Sequence, residues 1–160
     1  MTVSYRTPTV LLILALLAVA CYLIYRNPLI LNKSASNVTI HECGVSGLKI
    51  VLVVKNLGNT VLKDIEVTDK VPSITSIEKD VEMGSIKPLQ IMRGEHGHVF
   101  VKWKLSELEG KEERHIVYKV KSKLNVIGTM ELPRAKATFI AGPGKKKTSY
   151  SNTYRISTGE

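Results

Sequence analysis

The sequence is poor in the residues that cross-link or cage small proteins. Its 160 residues include only two cysteines, Cys21 and Cys43, and four histidines, which excludes a disulfide framework and a four-cysteine zinc site. Aromatic residues make up 6%, and 14 acidic residues face 23 basic ones, for a formal net charge of +9. The sequence contains no phosphate loop, dinucleotide fingerprint or paired-carboxylate arrangement. It therefore favours a protein that is not an enzyme and holds no cofactor.

One long apolar run stands near the N-terminus. Residues 9–25 contain no charge and are nearly all Leu, Ile, Val and Ala. As a helix they would be roughly 25 Å long, against a hydrocarbon core about 30 Å thick. Pro8 suits the first helical turn, and Arg26 can reach the membrane surface. We predict a transmembrane helix over 9–27, after a short tail over 1–8.

The alternative interpretation of this run is a cleaved signal. Ala18, Val19 and Ala20 resemble a signal-peptide cleavage site, but the apolar run continues past them, which favours retention of the helix. The flanking basic residues leave the orientation undecided. Two glycosylation sequons, at Asn32 and Asn37, follow the run and favour an external C-terminal part.

The rest of the chain consists of short β-branched runs separated by Gly, Pro, Asn and Asp. A stalk over 28–37 leads into it. The clearest of the expected strands cover six stretches: 48–55, 61–68, 99–105, 116–121, 135–140 and 149–156. Both faces of 48–55 are apolar, which predicts a central strand. Seven or eight strands and no second helix predict an all-β, antiparallel immunoglobulin-like β-sandwich over 38–157, before a tail over 158–160.

Several residues are predicted to have structural roles. Trp103 lies at an inward position of its strand and is expected to anchor a core between two sheets. The other positions fall in turns or at strand ends: Asn56, Gly58, Asp69, Pro72 and Gly110. Asn56 and Gly58 can take positive φ in a hairpin turn. Asp69 can bond its own backbone where the strand closes, and Pro72 prevents the strand from running on.

The order of these residues resembles a known domain. Residues 53–72, V-V-K-N-L-G-N-T-V-L-K-D-I-E-V-T-D-K-V-P, resemble the opening of a repeat domain of archaeal and bacterial surface proteins, the eleventh in a series of domains of unknown function. Residues 103–120 resemble its second signature, and 132–139 with 149–156 resemble its closing hairpin. The resemblance covers about 38–157 and implies an immunoglobulin-like sandwich on the cell surface. The domain often occurs in tandem arrays, whereas this chain has one copy.

A lysine run is the most distinctive charged feature. It follows Gly142-Pro-Gly144, a predicted hairpin tip, and two further basic residues lie nearby; the five are Lys145, Lys146, Lys147, Arg134 and Lys136. One interpretation is contact with an anionic partner such as lipid headgroups, acidic glycan or an acidic protein. The other is a set of solvated lysines that discourages sheet-to-sheet aggregation. Nucleic acid is not expected, because stacking aromatics do not accompany the lysines.

Two polar clusters contain residue types that could perform chemistry. His96 and His98 could bind a metal with Glu95 or with the distant His41 or His115, but the pattern is more typical of an exposed loop. His41 and Cys43 form the minimal pair for a cysteine nucleophile, but nothing in the sequence orients the imidazole. We expect neither a metal site nor catalysis from them.

These features predict a single-pass protein of the cytoplasmic membrane, held in the lipid bilayer by 9–27. Its extracytoplasmic sandwich would serve adhesion, scaffolding or assembly. Two other hypotheses stay open: an accessory subunit of a larger membrane complex, and a structural subunit associated with pili or archaella. The partners under all three are membrane or surface proteins, including further copies of the chain.

Overall fold

A computed structural model describes residues 10–17, 27–41, 44–77, 86–126, 128–142 and 144–158. Residues 10–17 are helical. Within the described ranges, no helix combines the length and apolar character needed to span a bilayer. The predicted span over 9–27 lies partly outside these ranges. Both cysteines lie outside them.

Antiparallel strands make up most of the described chain, which confirms the predicted all-β class. Their bounds are β1 Leu29–His41, β2 Gly44–Asn56, β3 Leu62–Val71, β4 Thr75–Ile77, β5 Gln90–Arg93, β6 Val99–Leu108, β7 Glu113–Val126, β8 Gly128–Leu132, β9 Lys136–Ala141, β10 Lys145–Tyr150 and β11 Tyr154–Thr158. A four-stranded sheet has the order β1-β2-β7-β4, and a five-stranded sheet has the order β10-β9-β3-β6-β5. Strands β11 and β8 form a two-stranded sheet.

The two larger sheets contribute side chains to one buried cluster. Leu52 of β2 belongs to it, as do Val67 of β3 and Phe139 of β9. Trp103 of β6 packs against Tyr118 of β7, with ring centroids 5.3 Å apart. Trp103 is 1% exposed, so its predicted role as a core anchor between two sheets is confirmed. The central position predicted for 48–55 is also confirmed, because β2 lies between β1 and β7.

The predicted stalk over 28–37 is wrong, because most of these residues form strand β1. The strand pairs with β2 from its first residue, where Leu29 lies opposite Asn56. Leu29 and Leu31 are buried, whereas Asn32, which follows Leu31, is exposed. A polar stretch of sequence thus conceals a strand whose alternate residues face the core. The β body consequently begins before residue 38.

The single strand predicted over 149–156 is also wrong, because the chain leaves β10 after Tyr150. Ser151 binds the backbone of Ala135 twice: its N–H donates to the Ala135 carbonyl, and its hydroxyl accepts the Ala135 N–H, each at 2.9 Å. These bonds turn the chain toward β11, which pairs with β8. The predicted hairpin tip is confirmed between β9 and β10, where Gly142 and Gly144 have φ of 65° and 75°.

The turn that contains Asn56 differs from the predicted hairpin, because β2 and β3 belong to different sheets. Neither Asn56 nor Gly58 has positive φ. The buried Asn56 side chain instead accepts the Gly58 N–H at 2.9 Å and donates to the carbonyls of Thr60, Leu108 and Glu109. One amide therefore joins the β2–β3 turn to the end of β6.

Two other predicted turn residues are confirmed. Strand β3 ends at Val71, directly before Pro72. Gly110 lies in the β6–β7 turn, where a Cβ atom would come within 2.7 Å of the Asn59 carbonyl oxygen. The two turns pack too closely for a side chain at this position.

Candidate functional site

A lysine, an aspartate and a tyrosine meet inside the core. Lys33 comes from β1, Asp69 from β3 and Tyr118 from β7, so two sheets supply the three residues. The side chains of Lys33 and Asp69 are 0% exposed, and Tyr118 is 1% exposed. Lysine and aspartate are rarely buried this completely unless they are paired. We call these three residues the KDY cluster.

The contacts of the KDY cluster satisfy every polar group at its centre. Lys33 Nζ donates to Asp69 Oδ1 and, at 2.6 Å, to the carbonyl of Pro133. Tyr118 donates its hydroxyl proton to Asp69 Oδ2 at 2.5 Å. The Lys70 N–H donates to Oδ1 at 2.8 Å. Both carboxylate oxygens and the amine are therefore held in fixed positions.

Strand alternation explains why these side chains point inward. Lys33 lies two residues after the buried Leu31 on β1, and Asp69 lies two residues after the buried Val67 on β3. Side chains two apart on a strand share a face. The inward faces of two otherwise apolar strands thus each carry one charged residue, at positions that meet across the core.

The backbone of Lys33 is held from outside the strand. The side-chain amide of Asn152 accepts the Lys33 N–H at 2.8 Å and donates to the Lys33 carbonyl at 2.9 Å. One asparagine therefore occupies the edge of β1 as a partner strand would. This contact fixes the point from which the lysine side chain enters the core.

Burial and pairing act in opposite directions on the ionisation of the KDY cluster. Burial raises the pKa of the Asp69 carboxyl, and the Lys33 charge opposes this shift. Burial lowers the pKa of Lys33, and Asp69 opposes that shift in turn. The pKa of Tyr118 is raised well above its usual value by burial and by the neighbouring carboxylate. The low-polarity site thus favours an uncharged amine and carboxyl more than water does.

The backbone bond predicted for Asp69 is present, because its carboxylate accepts the Lys70 N–H two residues before β3 ends. The sequence did not predict that the same carboxylate is buried in the core. Lys33 was not singled out by the sequence, since it falls between the polar residues of a sequon. Its inward position could have been found from the alternation Leu29, Leu31, Lys33.

The structure separates the basic residues that were grouped by sequence. The three lysines Lys145, Lys146 and Lys147 open β10 at the hairpin tip. The register places Lys145 opposite Ala141, but Lys136 opposite Tyr150 at the other end of the hairpin. At about 3.3 Å per residue, these ends lie roughly 17 Å apart. Arg134 precedes β9 and lies toward the Lys136 end, so the five residues do not form one patch.

The histidine cluster does not gather into a set of ligands in the part of the chain that the structure describes. No group of three His, Cys, Asp or Glu side chains suited to a metal occurs there. His96 has φ of 58° in a short 3-10 turn over Glu95–Gly97. His98 follows that turn, and its buried Nδ1 has no hydrogen-bond partner. The side chains of Glu95, His41 and Asn37 lie outside the described ones.

Comparison with known proteins relates the fold to parts of larger molecules. No family model and no curated protein matches the chain. A GH20 exo-β-N-acetylglucosaminidase from Vibrio harveyi matches with a TM-score of 0.51 at 12% identity, over 79% of this chain and 18% of that one. The full-length major pilin SpaD from Corynebacterium diphtheriae matches with a TM-score of 0.51 at 12% identity, over 79% and 35%. The chain thus spans well under half the length of either, and the likeness concerns the fold alone.

Proposed function

We propose that this chain is a non-catalytic membrane protein that displays one immunoglobulin-like β-sandwich outside the cytoplasmic membrane, as an adhesion, scaffold or assembly module. The observation that carries the proposal is the contrast between residues 10–17 and the strands. The large apolar side chains of that helix are between 55% and 67% exposed. A contiguous apolar surface of this kind needs a cover, and a bilayer supplies one for a helix within an uncharged run.

The β body supports the sandwich part of the proposal. Its two larger sheets share one core, in which Trp103 meets Tyr118. The edges of these sheets also approach one another, because the Ser149 hydroxyl of β10 donates to the Leu29 carbonyl of β1 at 2.9 Å. The likeness to a pilin fold and the resemblance to a surface-repeat domain agree with display outside the cell.

Labelling of intact cells tests the placement. A membrane-impermeant amine reagent should modify exposed lysines such as Lys145 and Lys146 of the full chain before lysis. The matched control is the double variant Lys145→Arg/Lys146→Arg, which keeps the charge and should lose the label at positions 145 and 146. A cytoplasmic marker protein should remain unlabelled in the same cells. Labelling that appears only after lysis would place the β body inside and contradict the proposal.

Removal of residues 9–27 tests the anchor separately. The full chain should stay with membranes after alkaline washing, and the shortened chain should move to the supernatant. If the full chain washes off as readily as the shortened one, the bilayer is not its anchor.

A second candidate function is that of an accessory subunit in a larger membrane complex. Strand β5 lies at the edge of the five-stranded sheet, and all four of its residues are exposed. Ile91 and Met92 are 42% and 38% exposed, and Leu89 just before them is 62% exposed. An apolar sheet edge suits addition of a partner strand. Purification in mild detergent distinguishes the two: a stoichiometric complex favours the subunit, and a single species favours display.

The third candidate, a structural subunit of a pilus or archaellum, predicts a processed N-terminus. The mass of the mature chain tests it directly. Loss of the first few residues would favour this candidate, and an intact N-terminus would exclude it.

A further inference from the structure

The KDY cluster holds a nucleophile and an electrophile of one chain in contact. Lys33 Nζ touches the Asp69 carboxylate, and neither side chain is exposed to solvent. An amine and a carboxyl group in this arrangement are the two halves of an amide. We propose that Lys33 and Asp69 condense into an intramolecular isopeptide bond between Nζ and Cγ, which links β1 to β3 covalently.

Geometry supplies the first requirement, which is proximity. Two groups fixed in contact react as though at very high concentration, with effective molarities that reach about 10⁵ M and above. The Lys33 backbone is fixed on both sides by Asn152, and the carboxylate is fixed by Tyr118 and Lys70. Little motion is lost when the bond forms, because the folded chain already orders both partners.

The apolar surroundings supply the second requirement, which is an uncharged amine. Burial lowers the pKa of Lys33 and raises that of Asp69, so the transfer of one proton from Nζ to the carboxylate costs less here than in water. The resulting amine carries a lone pair, and the protonated carboxyl carries a hydroxyl that can leave. Exclusion of bulk water from the site also disfavours the reverse hydrolysis.

The reaction balances with groups already in contact. Nζ first gives one proton to Oδ1, the oxygen that it contacts, and its lone pair then forms the Nζ–Cγ bond. Negative charge develops on Oδ2, to which the Tyr118 hydroxyl donates. The nitrogen gives a second proton to Oδ1, the Cγ–Oδ1 bond breaks, Oδ1 leaves as water, and the Oδ2 carbonyl reforms. The remaining N–H of the amide keeps its acceptor, the carbonyl of Pro133.

The position of the bond gives it a mechanical consequence. Strand β1 belongs to the four-stranded sheet and β3 to the five-stranded sheet, so the amide joins the two sheets through the core. Strand β1 is also an edge strand and the first strand of the β body. Tension applied at the N-terminal end would therefore pass to a central strand of the opposite sheet through a covalent bond.

Intact-mass measurement of the full, unaltered chain tests the proposal without any variant. The folded protein should be lighter than its sequence by the mass of one water. Digestion should yield a branched peptide that joins Lys33 to Asp69, and trypsin should not cut after Lys33. A folded chain with its full sequence mass would overturn the proposal and leave a buried ion pair. A loss of water that maps to other residues would overturn it equally.

Three variants sharpen the result. Lys33→Arg keeps a positive charge but offers no nucleophilic amine, so it should retain its full mass. Asp69→Asn should lose ammonia in place of water and give a product with the same mass as the wild-type product. Tyr118→Phe should form the bond at least about tenfold more slowly after refolding, because the hydroxyl that donates to the developing charge on Oδ2 is lost. If Lys33→Arg, shown to be folded by circular dichroism, lost the mass of water as well, the assignment to Lys33 would be wrong.

Discussion

The lysine in the core and the lysines at the hairpin tip differ in their exposure to solvent. Lys33 is buried between two sheets and binds Asp69 and a backbone carbonyl, whereas Lys145 and Lys146 stand exposed at a hairpin tip. The three consecutive lysines at the tip are easily recognised in the sequence, whereas Lys33 lies between two polar residues and is not. Whether a lysine is buried therefore depends on its position in the alternation of the strand, and not on how many charged residues lie near it in the sequence. Substitutions at the two places test this difference.

The largest effect is expected from Asp69→Ala, which leaves the Lys33 amine buried without its carboxylate. Removal of one partner of a buried ion pair costs about 3–5 kcal/mol, and loss of the proposed cross-link adds to that figure. Denaturant unfolding followed by fluorescence of the single tryptophan, Trp103, measures it. The control is Asp64→Ala, because Asp64 is 59% exposed in its pair with Lys104. Equal stability losses in the two variants would contradict the comparison.

A smaller loss is expected from Tyr118→Phe. The hydroxyl donates to the buried Asp69 Oδ2, and a buried acceptor left without its donor costs about 1–3 kcal/mol. The matched control is Tyr154→Phe, because the Tyr154 hydroxyl lies 3.5 Å from the Ala35 carbonyl and is only part-buried. Its free energy of unfolding should change much less. A larger effect at Tyr154 than at Tyr118 would show that the core hydroxyl contributes little.

Asn152→Ala should lower the free energy of unfolding by removing contacts to the Lys33 backbone, while the contacts of the Lys33 side chain stay in place. The variant removes two bonds to the Lys33 backbone at the edge of β1, each of which contributes about 1 kcal/mol. Hydrogen exchange at the Lys33 amide should also accelerate, which a general loss of stability would not confine to this strand. Unchanged exchange at Lys33 would show that β1 does not depend on the asparagine.

The smallest effect is expected at the hairpin tip. Lys145→Gln and Lys146→Gln alter exposed side chains on β10, so each should change the free energy of unfolding by less than about 0.5 kcal/mol. Lys33→Gln provides the direct contrast, since it should leave Asp69 buried without a cation. A tip variant as destabilising as Lys33→Gln would remove the distinction between the two lysine environments.

The strands were predictable where alternation was clean. Trp103 indicated the core because apolar residues in its strand repeat with a period of two, and 48–55 indicated it because both faces of that strand are apolar. The prediction failed at β1, where polar residues on the outward face masked the pattern, and at Ser151, where two bonds to Ala135 end β10. Neither bond can be inferred from local sequence, because the partners lie 16 residues apart.

The KDY cluster was unpredictable for a related reason. Tyr118 shares a face of β7 with the buried Ile116 and Val120, but Asp69 has the spacing of a strand-end residue and Lys33 lies in a sequon. Their contact spans 36 residues and exists only because β1 and β3 lie in facing sheets. The five basic residues were grouped wrongly for the same reason. Their positions in the sequence do not show which end of the β9–β10 hairpin each one occupies.

Hydrophobic periodicity and turn chemistry are local properties, so they were enough to predict the all-β class, the core tryptophan and the hairpin tip. The packing of one sheet on the other brings a lysine, an aspartate and a tyrosine into one buried site. Such a site depends on the register and the stacking of sheets, and long-range packing alone sets both of these.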